Sequence, residues 1–135
     1  MTITATQPHK IYLAGQWVDS PDLLPIDNPA DPPTPAGATY NATPEQVEQA
    51  VQAAVAAFEE MRVLPVYERA RALREISAGI KSRREELARI MSLEAGKPIR
   101  DALVEVDRAV FTFRLAAEES EIGRASCRER VFSSV

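Results

Sequence analysis

One cysteine and one histidine occur in 135 residues. That scarcity excludes a disulfide framework inside the chain and a Cys/His zinc site. A basic excess is also missing: sixteen Lys and Arg stand against twenty Asp and Glu, for a net charge of -4. Residues 121–135 hold three Arg and two Glu, so residues 1–120 carry -5. Such a balance does not fit a nucleic-acid partner, which asks for a basic face or stripe. No apolar run approaches eighteen residues, and Met1 to His9 contains no apolar signal core. The expectation is therefore a cytoplasmic protein with no membrane partner.

What is present is ordinary globular material, 45% hydrophobic and 27% charged, of a length that suits one domain. Residues 1–9 are expected to form a disordered lead, with His9 a solvated terminal histidine rather than a catalytic one. From Lys10 to Val18, a loose two-residue alternation around Ala14-Gly15 predicts a short hairpin or bent strand, with Trp17 as an aromatic plug over a core edge. Six prolines follow between Ser20 and Gly37, at 21, 25, 29, 32, 33 and 35. Proline lacks the ladder donor, so this stretch cannot be a helix or a central strand and should run extended along a surface, turning at Asp27-Asn28-Pro29. Ala38 to Asn41 predicts one more short strand.

Four helices account for the rest. Thr43 offers a capping hydroxyl, Pro44 suits the first helical position, Glu45 favours the positive end of the dipole, and Gln46 completes a capping box. Val47, Ala50, Val51, Ala54, Phe58 and Met61 then share one helical face that ends before Pro65. A second helix from Val66 should turn Leu73, Ile76 and Ile80 inward. Ser82 and Glu85 predict another capping box, opening a third helix from Arg83 to Ala95 with Leu87, Ile90 and Met91 inward. The basic run Lys81 to Arg84 is balanced by Glu85 and Glu86 and reads as a solvated helix face. The fourth helix, Ile99 to about Glu119, should bury Ile99, Leu103, Val106, Val110 and Phe113. These stripes outnumber what the small strand region can cover. Each large apolar side chain left without a partner forgoes about 1.5 to 3 kcal/mol.

Between the third and fourth helices lies Glu94-Ala95-Gly96-Lys97-Pro98. Gly96 sits where a helix ends in positive φ, and Pro98 suits the start of the next. A phosphate loop would need glycine-rich turns before the lysine and Ser or Thr after it; Pro98 follows instead. The Gly-Lys pair is thus a helix junction.

Ile11 to Val18, Asn28-Pro29-Ala30, the Thr43-Pro44 helix through Phe58, Glu68-Arg69-Ala70 with Leu73, Arg84 to Ala88, Glu94 to Pro98 and Glu105-Val106 form an ordered set. In order and spacing it resembles the start of NAD(P)-dependent aldehyde dehydrogenases, from residue 10 to about residue 120. The resemblance implies an α/β parent fold with a Rossmann-type cofactor domain, of which residues 10–120 are an incomplete N-terminal part, mainly α with a short N-terminal β region. It further implies oxidation of a small aldehyde to a carboxylic acid with NAD or NADP, through a thiohemiacetal on a cysteine, in an enzyme that is commonly a homo-oligomer. The dinucleotide turn, the nucleophile and the base of such enzymes lie downstream, so no catalytic or cofactor-binding residue carries over, and the chain alone should bind no cofactor. The monovalent-cation site of several family members carries over in part, to the backbone carbonyls of Ile26 and Asp27 and the carboxylate of Glu105, whose hard oxygens suit such an ion; part of that site comes from segments absent here, and for the isolated chain Glu105 reads first as an ordinary helix-surface acid.

Cys127 is not the nucleophile. Two flanking arginines could lower its pKa, but its setting, Ile122 to Val131, departs from the family and resembles the translation of a common sequencing-library adapter. Residues 121–135 are accordingly expected to be a non-native tail. The competing expectation for the whole chain is a free-standing helical interaction module without catalysis.

Overall fold

The computed structural model describes residues 7–132, with side chains described for 7–122. Four short strands precede four helices: β1 (Ile11–Leu13), β2 (Gln16–Val18), β3 (Asp22–Ile26), β4 (Gly37–Asn41), α1 (Pro44–Met61), α2 (Val66–Ser82), α3 (Arg84–Ala95) and α4 (Ile99–Phe132). They divide into two compact units, Met1–Val63 with Ile90–Lys97, and Leu64–Arg89 with Pro98–Val135.

In the first unit, β1 and β2 form the expected hairpin, pairing Ile11 with Val18 and Leu13 with Gln16. Its two-residue turn places both Ala14 (φ 49°) and Gly15 (φ 85°) in the left-handed region, as a primed hairpin turn requires. That turn fixes a register in which Trp17 opposes Tyr12 rather than sharing Leu13's face. Trp17 is therefore no plug. It is 66% exposed and lies against the Tyr12 ring with centroids 5.0 Å apart, while Leu13 is the buried residue of the hairpin. The proline-rich stretch is more regular than its composition suggests. Asp22–Ile26 pairs antiparallel with Gly37–Asn41, and Pro25 is tolerated opposite Ala38 because a two-stranded sheet has only edge strands.

Most of the expected lead, residues 1–6, lies outside the described residues. His9 does not behave as a free terminus: its N–H donates to Ala38 O at 2.8 Å, and its carbonyl accepts from Thr39 Oγ1 at 2.9 Å.

Thr43 caps α1 as its sequence dictates, with Gln46 N–H donating to Thr43 Oγ1 and Thr43 N–H donating to Gln46 Oε1. The apolar face behind that cap is uncovered. Val47, Val51, Phe58 and Met61 are all exposed, and α1 contains no buried residue.

In the second unit α2 packs along α4. Ser77 Oγ donates to Val110 O at 2.8 Å and Arg74 pairs with Glu121 at 2.6 Å, so higher numbers on one helix meet lower numbers on the other and the pair is antiparallel. The buried positions are mostly small: Ala70 and Ser77 on α2, and Ala102, Val106 and Ala117 on α4. Alanine lets two helix backbones approach closely, so this seam buries less apolar area per residue than a leucine-rich one. Ile76, expected inward, is exposed, because the contact with α4 falls on Ala70 and Ser77; Ile99, at the first position of α4, is exposed as well. On α3, Ala88 is buried and Ile90 is exposed.

Two helix boundaries differ from expectation. The Ser82–Glu85 capping box does not form, because the Ser82 hydroxyl turns back and donates to Gly79 O at 2.8 Å, within the last turn of α2. And α4 continues past Glu119 to Phe132, since nothing between them breaks a helix; the chain has no proline after Pro98.

Candidate functional site

Two of the segments that carry the family resemblance, Asn28-Pro29-Ala30 and Glu94 to Lys97, lie in the first unit and meet at the Asn28–Pro29 turn. Asn28 is buried; its Oδ1 accepts from Ala30 N–H at 3.1 Å, and its carbonyl accepts from Asp31 N–H at 3.1 Å. An asparagine side chain bonded two residues on stabilises such a turn without help from neighbouring strands. Thr34 N–H donates to Asp31 O, and Ala36 N–H donates to Ile26 O, both at 2.9 Å, which closes the loop between β3 and β4.

Gly96 packs against this turn. Its φ of 62° ends α3 as expected, and a Cβ there would stand 3.2 Å from Pro29 Cβ and 3.8 Å from Ala30 N. Two requirements therefore converge on one glycine: a left-handed backbone and room for a proline ring. The following carbonyl, Lys97 O, accepts from Ser92 Oγ at 2.6 Å and ties the junction back to α3. Sequence reasoning identified the helix stop and the Asn-Pro turn separately and missed that they touch. Glycine at one and proline at the other were the available signal.

The three cation candidates occupy two units. Ile26, half-buried, ends β3 opposite Gly37 and Asp27 is exposed beside it, both in the first unit; Glu105, half-buried on α4, belongs to the second. The Ile26 carbonyl accepts a hydrogen bond from Ala36 N–H. The oxygen types fit a hard monovalent ion. Among the described residues no group of three or more His, Cys, Asp or Glu side chains could hold a metal. The side chain of Cys127 lies outside the described residues.

Arg84 Nε and Nη2 donate to the two Asp107 oxygens, both at 2.7 Å, a bidentate clasp that holds the Asp107 carboxyl below its ordinary range and the guanidinium above its own. Arg83 similarly clasps Glu86 and lowers its pKa. At the start of α1, Glu45 is lowered by its backbone hydrogen bond and then by Thr43, as a carboxylate at a helix N-terminus should be. Arg83 and Arg84 of the basic run are thus engaged in ion pairs. A surface depression of about 460 Å³ is lined by Pro44, Glu45, Glu48, Gln49 and Gln52, all from the first half of α1. With one wall, it is not a pocket that could enclose a substrate.

No helix among the described residues is long and apolar enough to cross a membrane.

Comparison with known proteins agrees with the resemblance. The profile of the aldehyde dehydrogenase family matches residues 17–129. An alpha-ketoglutarate semialdehyde dehydrogenase of Haloferax volcanii is 36% identical over 121 residues, covering 87% of this chain and 25% of the relative. A lactaldehyde dehydrogenase of Methanocaldococcus jannaschii is 36% identical over 111 residues, covering 79% and 23%. Among solved structures, aldehyde dehydrogenase 21 from Physcomitrella patens, in complex with the reaction product succinate, superposes with a TM-score of 0.79 at 38% identity, covering 84% of this chain and 24% of that one. An NAD-dependent aldehyde dehydrogenase from Sinorhizobium meliloti gives 0.79 at 29% identity, covering 84% and 23%. The chain spans about a quarter of the length of these relatives, and its mainly helical structure with a few short strands is a piece of their α/β fold. The ordered motifs and the match over residues 17–129 place the chain in the aldehyde dehydrogenase family.

Proposed function

We propose that the chain serves an aldehyde dehydrogenase several times its length, which oxidises an aldehyde to a carboxylic acid with NAD or NADP through a cysteine thiohemiacetal, and that the 135 residues alone are inactive. The observation that carries this reading is the match over residues 17–129 in a chain spanning only about a quarter of its relatives. The NAD-dependent character of the Sinorhizobium meliloti neighbour supports the cofactor class. On this reading the thiol, the base that activates water and the dinucleotide turn belong to the unmatched three-quarters, and residues 10–120 contribute scaffold. Ile26 and Asp27, through backbone carbonyls, and Glu105, through its carboxylate, would hold a monovalent cation in the longer enzyme. A homo-oligomer is the expected assembly of that enzyme.

The test is direct. Purified chain, given NAD+ or NADP+ and a panel of small aldehydes, should form no reduced dinucleotide and show no saturable dinucleotide binding. Detection of either would remove the claim of inactivity. Residues 121–135 are proposed to be non-native, on the strength of the adapter-like string; the helix and the family match both run past Ser120. Sequencing the source DNA decides between them: an unbroken reading frame through Val135 would overturn the proposal. A longer native frame would also supply the enzyme whose aldehyde-dependent activity, and its dependence on potassium or sodium against choline, tests the remaining claims.

The second reading, a helical interaction module without catalysis, is favoured by the open apolar face of α1. A cooperative calorimetric melt of a monodisperse chain supports it, whereas a dye-binding, aggregating chain supports the incomplete enzyme.

A further inference from the structure

We propose, resting on the reading of Ile26 and Asp27 as carbonyl ligands of a monovalent cation, that Gly96 is a positioning residue for those carbonyls. All of these groups lie in the first unit; Glu105, in the second, does not enter. Two anchors flank the ligand pair in the chain. On the N-terminal side Ile26 pairs with Gly37 at the end of the β3–β4 ladder, and its carbonyl accepts from Ala36 N–H at 2.9 Å. On the C-terminal side the Asn28–Pro29 turn is closed by two bonds of its own, Ala30 N–H donating to Asn28 Oδ1 and Asp31 N–H donating to Asn28 O. Those two bonds set the shape of the turn and leave its placement open. Asp27 is the residue strung between ladder and turn, so its carbonyl moves with whichever anchor moves.

Gly96 supports the turn from the α3 side. A Cβ there would meet Pro29 Cβ at 3.2 Å, and Pro29 Cγ and Ala30 N each at 3.8 Å, so the turn fills the space that only a glycine leaves. The support is itself tied down, because Lys97 O accepts from the half-buried Ser92 Oγ at 2.6 Å. A side chain at 96 pushes Pro29 away by a few tenths of an ångström, two residues from Asp27. That matters at a binding constellation, which has to be held within about 0.5 Å of its working geometry. Gly15 supplies a matched control: it also takes positive φ in the first unit, but a Cβ there meets nothing within 4 Å. Gly15→Ala therefore brings left-handed strain alone, and Gly96→Ala brings strain with contact. Gly96→Asn keeps the Cβ while suiting the left-handed backbone, so it brings mainly the contact.

Hydrogen exchange of the intact chain, read residue by residue, tests the anchor. Gly96→Ala and Gly96→Asn should each speed exchange at the Ala30 and Asp31 amides roughly fivefold while leaving Ala36 within about twofold, and Gly15→Ala should change none of the three. The ion response is read in the enzyme of the longer native frame. There both Gly96 variants should raise the potassium concentration for half-maximal activation roughly fivefold, with the aldehyde KM and the potassium-saturated kcat held, and Gly15→Ala should not. Unchanged exchange at Ala30 and Asp31, an equal effect of Gly15→Ala, equal loss of protection at Ala36, or a potassium response that the Gly96 variants leave in place would overturn the proposal. An unsubstituted enzyme indifferent to potassium against choline removes the cation reading itself and the inference with it, so the two failures are told apart.

Discussion

Helix α1 leaves Val47, Val51, Phe58 and Met61 exposed, whereas α4, which packs along α2, buries Ala102, Val106 and Ala117. Both helices carry an apolar stripe at helical spacing, and α1 has the more complete N-terminal signature of the two. The difference is that the α4 stripe meets a neighbour whose small residues fit it, while among the described residues nothing covers the α1 stripe. Periodicity thus states which side of a helix is able to be buried; a complementary partner decides whether it is. Capping is independent of both, because the Thr43–Gln46 box is satisfied within four residues and forms even where the helix behind it buries nothing.

Substitutions can sharpen that contrast, and the largest effect is expected where the packing is tightest. Gly96→Val places a branched side chain at a φ of 62° and 3.2 Å from Pro29, and should destabilise the chain by about 3 kcal/mol, adding left-handed strain to overpacking; denaturant unfolding checks it, and a loss no larger than that of a surface substitution would break the Gly96–Pro29 contact. Ala102→Leu should follow, at about 2 kcal/mol, since a fully buried position on α4 has no room for three more carbons. An unchanged midpoint would mean that the seam is as loose as the α1 face.

A smaller effect should appear with acid. Asp107 is held below its ordinary 3.8 by Arg84, and Glu86 below its ordinary 4.5 by Arg83. A carboxyl with a depressed folded pKa contributes stability above its ordinary pKa and loses it as pH falls through the folded value. The second unit should therefore lose stability below about pH 4.5, and Asp107→Asn should flatten that acid limb. The pairs are exposed, so the change should be modest and should shrink in high salt.

The local elements were legible because their determinants are neighbours in sequence. Thr43 with Gln46, Ala14 with Gly15, and Gly96 with Pro98 each specify a cap, a turn or a stop within a few residues. What depended on distant partners was not. Trp17 reads as a plug over a core edge, yet the hairpin register, set by the turn, pairs it with exposed Tyr12. Pro25 read as a strand breaker until Ala38 supplied an edge partner. Ser82 resembled a cap for the next helix and instead closes the one before it, because Gly79 O lies within its reach. For the candidate site, the Asn28–Pro29 turn and Gly96 are each visible, but the meeting of Gly96 with Pro29 is not, since no local rule joins residues so far apart in the chain.

The contrast between the two helices is tested most directly by one matched pair of substitutions, measured by denaturant unfolding at a concentration low enough to keep the chain monomeric. Val106, 3% exposed, should cost about 2 kcal/mol when changed to alanine. Phe58, 61% exposed although larger, should cost less than about 0.5 kcal/mol when changed to serine. Equal costs, or a larger loss at Phe58, would contradict an uncovered α1 and a packed α4.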